Sequence, residues 1–251
     1  MTRSLQVRVG LVSLVCLAAV AVTQTANAHP QAGLSNSTRN LQELAQQQTK
    51  LMLKFYKGQN VSPPKCGQGQ SAHGFRGVFL LPVVSFAPGD KTLYCNTRAR
   101  RVLLDLGGFA ITEDNRLDSS YPLNGQDVPF TRENLEPICD DVIAQGFLPA
   151  PAPATLDGHT SITGTVLNSG VFTARVNPHG QIPGGADLYG DSVALGHPGR
   201  LATVFCGFKA KVHLGPGKHT IVADYSGEFS EHDPSTVRTY NIKVKGDHRT
   251  H

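Results

Sequence analysis

The chain has 251 residues, with 23 lysines and arginines against 19 aspartates and glutamates and a formal net charge of +4. A balance this even gives no reason to expect a nucleic-acid or anionic-membrane partner, while 39% hydrophobic residues suffice for one buried core. After residue 28 no stretch is apolar long enough to cross a bilayer, so no membrane span is expected.

Residues 1–28 read as a signal peptide. Arg3 and Arg8 precede an apolar run from Val9 to Val22, and Ala26-Asn27-Ala28 forms an Ala-x-Ala site. Cleavage after Ala28 predicts a secreted, extracellular chain that starts at His29, and it lowers the formal charge from +4 to +2. Leu14 and Val15 before Cys16 are too large for a lipoprotein site. Cys66, Cys95, Cys139 and Cys206 remain, and four cysteines in an exported chain predict two disulfides. The close ligand pairs of a zinc site are absent. Asn36-Ser37-Thr38 and Asn60-Val61-Ser62 are glycosylation sequons, relevant only in a host that glycosylates.

Residues 29–74 are expected to be a tail, a helix and a Gly/Pro-rich linker. Asn40 and Glu43 match a capping box, and Leu41, Leu44, Ala45, Leu51, Met52, Phe55 and Tyr56 recur near the helical period. Gln48 interrupts that stripe, which predicts a helix laid on a core. Residues 75–246 are expected to form one β-domain, and 247–251 a tail. The apolar run 77–86 contains Pro82, which belongs at an edge or bulge. Strands follow at 92–95 and 101–106, and Gly107-Gly108 predicts a two-residue hairpin into 109–112. Residues 113–129 read as a long surface loop.

A second helix is expected over 134–145, with Asn134 as cap and Pro137 in its third position, where a missing N–H costs nothing. Leu135, Ile138, Cys139, Val142 and Ile143 form its apolar stripe. Residues 147–154 are extended and proline-rich, Asp157-Gly158 signals a hairpin, and 170–176 a strand. Residues 177–200 read as a Gly/Pro-rich loop with a short strand at 192–195. The longest strand is 201–214, with a bulge at Gly207. Within it Phe208, Ala210, Val212 and Leu214 alternate with Lys209, Lys211 and His213. Across the Gly215-Pro216-Gly217 turn the alternation resumes at Ile221, Ala223 and Tyr225, then at Tyr240, Ile242 and Val244. Three successive antiparallel strands, each with one wet face, are predicted.

The fold class is therefore mostly β: an antiparallel β-sandwich of Ig-like or jelly-roll type, with an N-terminal α-helix and one short inserted helix. The run Leu214, Pro216 to Ile221 resembles the penultimate hairpin of secreted bacterial Ig-like proteins. The order of leader, internal Leu81-Pro82, cysteine strand, cysteine helix and Leu156–Gly158 turn is similar to a group of uncharacterised exported bacterial proteins. That resemblance implies fold and export, and it carries no catalytic residue over.

Candidate chemistry is sparse. His213 and His219 flank the turn on opposite pleat parities, which does not suit a shared metal. His29, as a free N-terminal histidine, would offer the amine–imidazole chelate of copper oxidases and copper carriers, with His73, His179 or His197 as a further ligand. A ligand-binding loop is expected at His179, Asp187, Tyr189, Asp191 and His197, because long loops tend to have a job. The acid pairs Glu113-Asp114 and Asp140-Asp141 face apart as sequence neighbours. No Gly-x-Ser-x-Gly elbow, phosphate loop or His-Glu-x-x-His is present. The expected function is thus a non-catalytic extracellular or envelope-associated binding or structural module without a cofactor. A copper-dependent oxidase or copper-binding protein using His29 is the alternative. The expected disulfides are Cys95–Cys139, pinning the second helix to strand 92–95, and by elimination Cys66–Cys206.

Overall fold

The computed structural model describes residues 36–55, 65–83, 89–114, 120–148, 150–178, 188–226 and 237–246. Its elements are α1 (Asn36–Phe55), β1 (Val78–Leu80), β2 (Lys91–Thr97), β3 (Arg101–Thr112), β4 (Ser120–Leu123), β5 (Gln126–Pro129) and α2 (Leu135–Ala144). They continue with β6 (Ala154–Leu156), β7 (Thr160–Ile162), β8 (Thr165–Asn168), β9 (Phe172–Arg175), α3 (Leu188–Ala194), β10 (Arg200–His213), β11 (Gly217–Asp224) and β12 (Val237–Val244).

The protein is mostly β, as its alternating patterns predict. Sheet A runs β1-β3-β10-β8, with β9 following β8 along the same edge of β10; sheet B runs β2-β12-β11-β6-β7. The sheets are mixed, not antiparallel: β1 lies parallel to β3, and β2 parallel to β12. Alternation reports which face of a strand is buried, whereas strand direction depends on the partner, so the sequence pattern carried no sign of these two pairs. One apolar cluster joins the sheets. Val102, Leu104, Leu106, Ala210 and Val212 come from sheet A, and Leu93, Ile221, Ala223, Tyr240, Ile242 and Val244 from sheet B.

The Gly215-Pro216-Gly217 turn is not a hairpin. It carries the chain from β10 in sheet A to β11 in sheet B, and Leu214 N–H is received by the Arg100 carbonyl at 2.7 Å. Burying the same parity before and after the turn suits a corner between two facing sheets as well as a hairpin within one. Only β11 and β12 pair antiparallel as expected.

Gly107-Gly108 is no hairpin either; both lie inside the continuous strand β3. Gly207 stands opposite Gly108, and the register then jumps to Lys209 opposite Asp105. The extra residue falls in β3, as in a β-bulge. It flips the parity of β3, so that Phe109 and Ile111 face the same side as Leu104 and Leu106. The strands thereby run past the edge of sheet B and keep an apolar face. Beyond the bulge α2 covers that face, with Leu135 and Cys139 on Ala202, Val204 and Cys206. The contact explains the glycines. A Cβ on Gly207 would lie 2.3 Å from the Gly107 carbonyl oxygen, and one on Gly108 2.3 Å from that of Cys206.

Helix α1 covers the other face of sheet A. Leu44 packs on Val78, Leu80 and Leu103, and Ala45 on Leu167 and Phe205. It starts at Asn36, one turn before the expected cap at Asn40, so Asn40 and Glu43 lie inside the helix and form no capping box. The glutamine that breaks its apolar stripe is buried, not wet. Gln48 Nε2 donates to the carbonyls of Leu81 (2.8 Å) and Leu103 (3.2 Å). Gln42 and Gln46 donate likewise to Asn168 and Ser169. The helix glutamines thus donate to backbone carbonyls of the sheet beneath, and the Leu103 carbonyl also accepts from Leu81 N–H at 3.1 Å.

Two elements sit where loop was expected. Residues 120–129 form the β4–β5 hairpin, and the 177–200 segment contains α3 rather than a strand at 192–195. The hairpin turn is Asn124-Gly125, both at positive φ (52° and 78°), an Asn-Gly signal legible in the sequence but masked there by polar surroundings.

Candidate functional site

The four cysteines pair as Cys66–Cys95 and Cys139–Cys206, with Cα atoms 5.2 and 5.7 Å apart. This corrects both expected bridges, Cys95–Cys139 and Cys66–Cys206. The second helix does dock on a sheet through Cys139, but on β10, where the bulged strands outrun sheet B. β2 lies at the far edge of sheet B, beside the segment that carries Cys66. Each bridge therefore ties a covering segment to the strand beneath it.

Of the expected ligand loop, His179 and Asp187 lie outside the described residues, as does His29. Tyr189 belongs to α3 and packs on the cluster of Leu53, Phe172, Leu188 and Leu201. The segment is wound on the buried Ser192, whose Oγ donates to the Tyr189 carbonyl (2.7 Å) and accepts from Gly199 N–H (2.8 Å). His197 N–H closes the turn on the Ser192 carbonyl at 2.8 Å, and the His197 side chain is exposed. Asp191 is half-buried and has a partner of its own. Among the described residues no three metal-ligating side chains converge.

His219 is the histidine with defined chemistry. Its Nδ1 lies 2.9 Å from Asp157 Oδ2, and its Nε2 lies 2.9 Å from the Gly215 carbonyl. Ionised carboxylate and carbonyl oxygens only accept, so both ring nitrogens donate and the imidazolium is the form that fits. The Asp157 hydrogen bond accordingly raises the His219 pKa above its ordinary value, against partial burial. The same bond, helped by Thr220 N–H on Oδ1 (2.8 Å), lowers that of Asp157. The result is a charged clasp between the β6–β7 turn and the β10–β11 corner. His213 is exposed on β10 and does not join it.

The acid pairs diverge, as sequence neighbours should. Asp140 accepts from Asn168 Nδ2 (2.7 Å), while Asp141 accepts from Tyr121 O–H (2.8 Å), tying α2 to β8 and to β4. Burial and that carboxylate push the Tyr121 phenol up to about 12. Glu113 Oε1 receives the N–H of Ala202 at 2.5 Å.

Sequence reasoning missed the buried charges. Lys209, expected on a wet face, is 1% exposed; its Nζ lies 3.0 Å from Asp105 Oδ2 and 3.8 Å above the Phe205 ring. Asp105 also receives Gly107 N–H at 3.0 Å, inside the bulge. Arg238, fully buried, donates to the Gly89 carbonyl at 2.6 Å. The only signal for the first pair was a lone acid in the apolar run 101–106. Burying such a pair adds little net stability over apolar residues, whereas removing one partner strands the other charge and is costly.

No protein-family model matches the chain, and neither a curated protein nor a solved structure is similar enough to be counted as a match.

Proposed function

We propose that this is an exported, disulfide-locked β protein acting as a non-catalytic binding or structural module outside the cytoplasm, in the extracellular space or the envelope. The observation that carries this reading is the pair of bridges, which join all four cysteines left after residue 28. A fold that fastens two of its covers this way needs an oxidising compartment. The leader pattern of residues 1–28 points to the same place, with cleavage after Ala28. The described polar groups add support: His219, Asp157, Asp140, Asp141, Glu113 and Ser192 are each committed to a partner within the fold. The shared core of two facing sheets supports the kinship with exported Ig-like proteins, with the parallel pairs as its departure from them.

The test is expression of the full chain in a bacterial host with an export pathway. The processed protein is expected outside the cytoplasm, with His29 first and a non-reducing peptide map joining Cys66 to Cys95 and Cys139 to Cys206. A folded cytoplasmic chain with four free thiols overturns the reading.

A further inference from the structure

Three segments meet at one end of the two sheets. The β2–β3 turn brings Arg98, Arg100 and Arg101, the end of β10 and the following corner bring Lys211 and Lys218, and the end of β12 brings Lys243 and Lys245. Pairing fixes them together: Arg101 lies opposite His213, Lys218 opposite Lys243, and Lys245 N–H donates to the Thr97 carbonyl at 2.8 Å. All seven cations are exposed, and residues 97–101, 211–218 and 243–246 contain no acid. Among the described residues none of the seven forms an ion pair. The acids on neighbouring elements are already engaged, Asp157 by His219 and Glu43 by Arg76. At the opposite end of the strands Asp90, Glu113, Asp114 and Asp224 stand with Lys91 and Arg200. Charge is thus sorted along the strand axis, a polarity that an even total conceals.

We propose that this basic end docks on anionic lipid membranes. The shape selects the partner. Lys211 projects from the outer face of sheet A, while Lys243 takes the parity opposite to the buried Ile242 and Val244 and so projects from the outer face of sheet B. The arginines of the turn lie between the two. The charges thus stand on two outward faces and on the turn that joins them, and none of the seven lines the concavities beside α1 and beside α2. A groove suits one strand of a polyanion, whereas cations spread round the end of two sheets suit a continuous anionic plane. Lys211 and Lys243, set back from the end, reach that plane on their long side chains. The earlier expectation of no anionic-membrane partner rested on net charge, which averages this polarity away. Which membrane the protein meets rests on the export reading; the lipid contact itself does not.

The experiment is flotation of the exported, processed protein with vesicles of phosphatidylcholine alone and of phosphatidylcholine with about one-third phosphatidylglycerol, at rising salt. Binding to the anionic vesicles only, weakened at least about tenfold between 50 and 500 mM salt, is expected. The variant Arg100→Glu/Lys218→Glu/Lys245→Glu should lose at least about tenfold in affinity. Arg132→Glu/Arg175→Glu/Arg200→Glu, with the same change in net charge but away from this end, should keep most of it. Circular dichroism checks that both variants fold. Equal losses in both variants, binding to neutral vesicles, or salt-insensitive binding by the unaltered protein overturns the proposal. So does capture by soluble dextran sulfate without vesicle binding, which would assign the end to a soluble polyanion. None of these outcomes alters the disulfide map that tests export.

Discussion

At the scale of single residues, the groups that decide most make contact through backbone or through one proton. Gly207 and Gly108 touch backbone to backbone, so Gly207→Ala must separate β3 from β10 and should lower unfolding stability by about 3 kcal/mol or more. Urea denaturation measures it. Gln48→Ala should cost about 1–3 kcal/mol, since it strips a partner from the buried Leu81 and Leu103 carbonyls. A cost indistinguishable from that of exposed Lys54→Ala would show the Leu81 carbonyl to be hydrated instead, since the Leu103 carbonyl keeps Leu81 N–H. The His219–Asp157 clasp depends on pH from both sides. The raised His219 pKa gives stabilisation that is complete below the ordinary value of 6.5 and is lost as pH rises through the raised one. The lowered Asp157 pKa gives stabilisation present above 3.8 and lost as pH falls through the lowered one. The clasp should therefore be strongest between those ordinary values. In an NMR titration Asp157→Asn should bring the His219 pKa back toward 6.5; an unchanged value would mean that Gly215 alone holds the ring.

At the scale of elements, the bridges and the bulge set which cover lies on which strand. The loop-entropy relation assigns each bridge about 4 kcal/mol. Cys139→Ala/Cys206→Ala should lose about that much and speed amide exchange in α2 and in β4, which Tyr121 ties to that helix. Cys66→Ala/Cys95→Ala should instead loosen residues 65–74 and β2. Uniform acceleration in both variants would contradict this separation. The same elements show what was legible in the sequence. The apolar stripe of α2 placed Leu135, Ile138, Cys139 and Val142 inward correctly, because helical period reports burial directly. It could not say which strand lay beneath, since that depends on how far β10 outruns sheet B. Gly207 alone within a strand signals a bulge, but Gly107-Gly108 opposite it signals a turn, because two adjacent glycines fit a reversal and a close strand crossing equally well. Lys209 escaped because alternation assigns parity and not exposure, and α1 covers the face to which its parity points. For the same reason the clasp was half legible: Asp157 lies in a recognised turn and His219 beside another, and only tertiary pairing brings β6 beside β11.

At the scale of the whole molecule, each sheet is closed by contacts distant in sequence. β12 lies between β2 and β11, pairing parallel with residues 91–97 and antiparallel with residues 217–224. Removing residues 237–251 should therefore abolish the cooperative transition of both sheets, leaving a chain without near-ultraviolet dichroism. A truncated chain that still melts in one step would show sheet A to be self-sufficient. There is a consequence in time as well as in space. A strand whose parallel neighbour is made much later in the chain stays unpaired on that edge until then, and non-local pairing of this kind is slow to form. During synthesis β2 waits, with its apolar Leu93 uncovered, until residues 237–244 have left the ribosome. The core shared by the two sheets therefore cannot close until residues 237–244 are made, and that is the delay the proposed export would call for.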